Sequence, residues 1–118
     1  MQLKIKYNDE ILTYESDKDT VTIGRSKDND FVVPYDDFSR KHCQVTFKGE
    51  YAFIMDMGSK NGVTIDGKKI PPNVQLPIYA SSRIFLANLF EFTLPDGTFI
   101  KEDLLGEIIL EEPIKRGR

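Results

Sequence analysis

Three short segments, Ile23-Gly24-Arg25-Ser26, Ser39-Arg40-Lys41-His42 and Gly58-Ser59-Lys60-Asn61-Gly62, gather the side chains of this chain best suited to holding an anion. Each sets polar or cationic residues at the edge of a strand-like run, as loops that jointly grip one anion would require. Arg25 offers a permanently charged, forked guanidinium that can engage two oxygens of one phosphate, a geometry lysine cannot copy. Ser39 adds a short hydroxyl with little conformational freedom to lose. Asn61 presents a donor and an acceptor together, which matches a peptide backbone. Gly24 and Gly62 stand where a strand meets a loop and allow positive φ or a close backbone approach. Ser26, Arg40 and Lys60 flank these positions as further candidate contacts. Arg25, Lys27, Arg40, Lys41 and Lys60 concentrate positive charge there, with Asp28, Asp30, Asp36 and Asp37 close by in sequence to offset part of it. The patch is of a size for a single phosphate.

Other chemistries find little support in the residues. His42 and Cys43 are neighbours, but adjacent strand residues point to opposite faces, so a thiol–imidazole dyad is not expected. The lone histidine reads as a hydrogen-bonded packing residue and the lone cysteine as a small core residue. Residues 62–69 nearly spell a phosphate-binding P-loop, yet Lys69 stands where a serine or threonine must bind magnesium. The surroundings also read as strand-turn-strand rather than strand-loop-helix. No carboxylate or His/Cys cluster has metal-ligand spacing. No catalytic residue, metal or cofactor is therefore assigned.

The elements that must position these loops are strands. Leu3, Ile5 and Tyr7 alternate with polar residues, and Asn8-Asp9-Glu10 turns the chain back into residues 11–14. Val21 and Ile23 alternate up to Gly24, and Phe31-Val32-Val33 is a short run ended by Pro34. Cys43, Val45 and Phe47 share one face; after Lys48-Gly49-Glu50 the chain returns through Tyr51, Phe53 and Met55. Asp66-Gly67 and Asp96-Gly97 are tight-hairpin signals, the second between residues 90–94 and 98–100. Many short strands with frequent turns predict an all-β fold, a two-sheet β-sandwich of mostly antiparallel strands. That domain is expected over residues 1–100. Residues 101–118 form a tail, a short helix or a linker, with Leu104, Leu105, Ile108 and Ile109 near one helical face and Gly106 weakening it.

The chain has 118 residues, one ordinary domain. Its net charge of −3 and pI near 5.2 weigh against a non-specific nucleic-acid binder. Cys43 has no disulfide partner, and no basic start leads into an apolar stretch, so a cytoplasmic location is expected. The most apolar stretch, residues 84–90, is broken by Asn88 and is far shorter than the roughly 20 residues of a membrane helix, so no membrane insertion is expected.

From residue 3 to residue 94, and most specifically in Gly24-Arg25, Ser39 with His42 three positions on, and Asn61-Gly62, the chain resembles the forkhead-associated (FHA) domain, a phosphothreonine-reading β-sandwich family. The resemblance implies that Arg25 and Ser39 contact the phosphate, that Asn61 bonds the peptide backbone beside the phosphothreonine, and that His42 ties the loops together. Three positions depart from the common pattern. Lys60 replaces a frequent threonine, Arg40 follows Ser39 where some members have asparagine, and Ala87 stands where glycine is frequent. The implied function is a phosphopeptide-binding module, not an enzyme, that recognises phosphothreonine on a partner protein after a Ser/Thr kinase has modified it. The partner is expected in trans, because no serine or threonine follows Thr98 to serve as an internal acceptor. The alternatives are a phosphate-independent interaction scaffold, or the N-terminal regulatory module of a larger enzyme, transporter or secretion component.

Overall fold

Residues 1–95 are described by the computed structural model. The Asp96-Gly97 turn signal and the 104–109 helical pattern lie outside the described residues. Within them the chain runs through β1 (Gln2–Tyr7), β2 (Glu10–Glu15), β3 (Thr20–Gly24), β4 (Phe31–Val32), β5 (Cys43–Lys48), β6 (Tyr51–Asp56), β7 (Val63–Ile65), β8 (Lys68–Lys69), β9 (Gln75–Pro77), β10 (Ile84–Leu86) and β11 (Phe90–Thr93). One sheet has the order β2-β1-β11-β10-β7-β8 and the other β4-β3-β5-β6-β9. All the pairings are antiparallel except β3 with β4. This is the expected all-β sandwich.

Alternation decides which face of each strand is buried. Leu3 and Ile5 of β1, Val21 and Ile23 of β3, and Cys43 and Val45 of β5 are fully buried between the sheets. In β6 the inward set is Ala52, Ile54 and Asp56, whereas Tyr51, Phe53 and Met55 are half-buried on the outer face. The more bulky triplet thus lies outside, because the register with β5, Val45 opposite Ile54, turns the other set inward.

The apolar stretch 84–90, broken at Asn88, divides between β10 and β11. Its chain reverses through Ala87 and Asn88, both left-handed with φ of 53° and 66°, so that Leu86 pairs with Phe90. Turn chemistry at Asn88 and tertiary pairing override the run of apolar residues. Residues 62–69 also resolve the near-match to a P-loop. They form a strand, a turn with positive φ at Asp66 and Gly67, and a second strand.

The same registers bring distant loops to one end. Ile23 at the close of β3 lies opposite Cys43 at the start of β5, and Cys43 lies opposite Asp56 at the close of β6. The β3–β4, β4–β5 and β6–β7 loops therefore emerge side by side. Leu86 pairs with Val63, and the Ala87 N–H donates to Gly62 O at 2.9 Å, which adds the β10–β11 turn to the group.

Candidate functional site

The backbone of residues 37–39 is the point on which the three polar segments meet. The Asn61 Nδ2 donates to Asp37 O at 2.8 Å, Arg25 Nε donates to Phe38 O at 3.0 Å, and the Arg25 N–H donates to Ser39 O at 3.0 Å. The Lys60 N–H donates to Ser39 Oγ at 2.8 Å. Phe38, 1% exposed, anchors this stretch from below, its ring 4.9 Å from Phe90 and 4.7 Å from the His42 imidazole. An apolar anchor thus holds down the segment whose polar backbone the other two loops grip.

His42 connects the loops at a second level. It is fully buried, yet both ring nitrogens are satisfied: the Ser39 N–H donates to Nδ1 at 3.1 Å, so the proton resides on Nε2, which donates to Gly62 O at 2.9 Å. Burial pushes its pKa below the ordinary histidine value, against smaller raising effects of Gly62 O and the Asp56 carboxylate. The ring is held neutral in one tautomer. Cys43, directly after it, is fully buried, and burial pushes its thiol well above the ordinary range, which leaves it no nucleophile.

The two glycines solve different problems. A Cβ on Gly24 would stand 2.2 Å from Arg40 O and 2.8 Å from Asn29 Nδ2, so close approach of the β4–β5 loop requires its absence. Gly62 instead has φ of 80°, a backbone that L side chains rarely adopt.

Arg25, Arg40 and Lys60 are exposed, as are Lys27 and Lys41. Among the described residues the cations within 4 Å of a carboxylate are the Met1 amine, Lys18 and Arg83, none of them in this cluster. Asp30, which lies nearby in sequence, is committed elsewhere. It pairs with Lys18 and accepts from the Thr22 N–H at 2.9 Å, and the Lys18 contact holds its carboxyl below the usual range. None of these five cations is in an ion pair among the described residues. Ser26 is engaged locally, its Oγ accepting from the Asp28 N–H at 3.3 Å and its N–H donating to Arg40 O at 3.2 Å.

Two supporting residues were not visible in the sequence reading. Asn29 is buried and donates from Nδ2 to Ser26 O at 2.9 Å and to Arg40 O at 2.6 Å, stitching the first loop to the second. It sits in a charged run, Lys27-Asp28-Asn29-Asp30, that reads as solvated. Asp56 is 3% exposed and accepts from the Ser59 hydroxyl, while Ser59 Oγ accepts from the Gly62 N–H at 3.0 Å, so this pair shapes the loop that carries Asn61. Its signal was available: alternation with Ala52 and Ile54 puts a carboxylate on the core face, which calls for a local partner.

Residues 21–86 match the family model for the FHA domain. The chain is 36% identical over 64 residues to the FHA domain-containing protein FhaB of Mycolicibacterium smegmatis, an overlap of 54% of this chain and 41% of that protein, so it spans about two fifths of that relative's length. Among solved structures it is similar to EmbR of Mycobacterium tuberculosis in complex with a low-affinity phosphopeptide, with a TM-score of 0.64 at 22% identity over 78% of this chain and 24% of that one. It is likewise similar to an FHA domain from an analysis of phosphothreonine-dependent interactions, with a TM-score of 0.63 at 23% identity over 80% of this chain and 99% of that one. At these identities the structural likenesses establish the fold.

Proposed function

The chain belongs to the FHA-domain family, and from that premise we propose that its loop end binds a phosphothreonine-containing segment of a partner protein within Ser/Thr kinase signalling. The observation that carries the reading is the convergence of Arg25, Ser39 and Asn61 on residues 37–39 with part of each side chain's bonding capacity uncommitted. Arg25 uses Nε on Phe38 O, which orients the guanidinium and leaves its two terminal amino groups for phosphate oxygens. Ser39 Oγ accepts from Lys60, so its own hydrogen is left to donate. Asn61 retains one amide hydrogen and its carbonyl oxygen, a donor and an acceptor for the peptide backbone next to the phosphothreonine. His42, Gly24 and Gly62 act as supports and touch no ligand. Lys60 and Arg40 line the rim, and Ser26 contributes its hydroxyl from the first loop.

Recognition rather than bond-making is the activity of this module, and a kinase acting on the partner supplies its ligand. The partner acts in trans, and the setting is cytoplasmic. What else the whole protein does depends on whichever further domains accompany this one. Titration calorimetry with a phosphothreonine peptide and its unphosphorylated twin tests the reading. The wild type binds the first alone, and Arg25→Ala weakens that binding by roughly 2–5 kcal/mol, the range for truncating one partner of a largely desolvated charge pair. Equal affinity for the two peptides would assign the surface to phosphate-independent docking, and equal affinity of variant and wild type would remove Arg25 from the site.

A further inference from the structure

Lys69 belongs to none of the three polar segments, yet its side chain returns to them. It faces Thr64 across the β7–β8 ladder, and its stem lies over the open face of Gly62. Cε, Cδ and Cγ stand 2.6, 3.3 and 3.4 Å from the position a Cβ on Gly62 would take. A stem packed in this way restricts where the ammonium goes, and the ammonium is one bond beyond Cε, beside the Asn61-Gly62 turn. The residue as a whole remains exposed.

No ion pair within 4 Å holds it among the described residues. Lys18 and Arg83 each have a carboxylate within 4 Å, and no described carboxylate lies that close to Lys69. Asp56 is buried on Ser59, and Asp66 Oδ1 accepts from the Arg83 N–H at 2.9 Å. Asn61 lies between Lys60, whose N–H is bound to Ser39, and Gly62, over which the Lys69 stem rests. A peptide chain held by Asn61 would therefore pass Lys69 at a point offset from the phosphate itself.

We propose that Lys69 is a specificity-determining residue, selecting partner segments that carry an anionic side chain, a carboxylate or a second phosphate, a few residues from the phosphothreonine. The inference rests on the phosphothreonine reading of the Arg25, Ser39 and Asn61 site. An ammonium at an exposed rim is worth up to about fivefold in affinity for one carboxylate, more for a dianionic phosphate, and less as salt rises.

Binding is measured by fluorescence anisotropy at about 0.1 M ionic strength, near one Debye length of 10 Å. Three peptide sets are used: a phosphothreonine with neutral flanks, the same with glutamate scanned through the flanking positions, and the same with phosphoserine scanned there. The protein is the wild type and Lys69→Met, which keeps an unbranched stem over Gly62 and removes the charge. Wild type is expected to favour its best acidic-flank peptide about three- to fivefold over the neutral one. Lys69→Met is expected to match wild type on the neutral-flank peptide and to lose the preference. A response confined to the phosphoserine set identifies a second phosphate as the selected group, and a response in both sets identifies general anion selection. Discrimination that survives in Lys69→Met, or that is absent from wild type, overturns the assignment. Failure of wild type to bind the neutral-flank phosphopeptide at all overturns it too, through the underlying site rather than through Lys69.

Discussion

Replacing His42 by alanine removes the one side chain that bonds both the Ser39 loop and the Gly62 turn, and its cost follows from what is left behind. The part-buried Ser39 N–H loses its partner at 3.1 Å, and Gly62 O loses one of two donors, keeping the Ala87 N–H at 2.9 Å. A buried, unsatisfied backbone group costs about 1–3 kcal/mol. Loss of the ring packed on Phe38 adds a cavity contribution. Together these predict a destabilisation of about 2–4 kcal/mol, a large part of the 5–15 kcal/mol typical of a domain. Urea unfolding gives the stability change, and titration of the folded variant with a phosphothreonine peptide gives the functional one, expected at about tenfold or more, or 1.4 kcal/mol, because Ser39 is no longer held. The same residue predicts a pH dependence. The folded state holds His42 below its ordinary value of 6.5, so between the two values the unfolded chain binds more protons. Stability from the neutral ring is complete above pH 6.5 and falls as pH drops from there toward the folded-state value. The alanine variant should lack this component. Asp30, whose carboxyl is held below its ordinary 3.8, contributes its loss only in more acidic solution, so the two windows separate. A variant less than 1 kcal/mol destabilised, with wild-type affinity and an unchanged stability–pH curve above pH 5, would refute the argument that the imidazole joins the loops.

Two further outcomes follow from the backbone. Ala87 is buried with φ of 53°, a conformation that costs an L residue about 1–2 kcal/mol. Ala87→Gly relieves this strain at the loss of one buried methyl, so it should be neutral or stabilising by up to about 1 kcal/mol in thermal or urea unfolding, where glycine in an ordinary strand position would destabilise. Gly24→Ala forces a methyl to within 2.2 Å of Arg40 O, a backbone atom with little room to yield. It should cost about 3 kcal/mol and weaken phosphopeptide binding by separating the first two loops; a variant with wild-type unfolding midpoint would show that the approach at Gly24 is not tight.

The polar residues of the three segments were legible because each breaks an apolar alternation at a turn, and guanidinium, hydroxyl and carboxamide have chemistries that short-range sequence context does not alter. Hairpins at Asn8 and at Asp66-Gly67 were legible for a similar reason, since the conformation is dictated by two or three adjacent residues. The outward face of β6 and the short β9 were not, because the face of β6 that enters the core is set by the packing of the two sheets and β9 pairs with a strand well before it in the chain. Nor could the chain alone reveal that Asn29 bridges two loops or that the Lys69 stem crosses Gly62. Side-chain type and local turn geometry are properties of a few neighbouring atoms and travel with the sequence. Which backbone carbonyl Arg25 or Asn61 grips is a property of sheet register, and register exists only once both sheets have formed around their shared core.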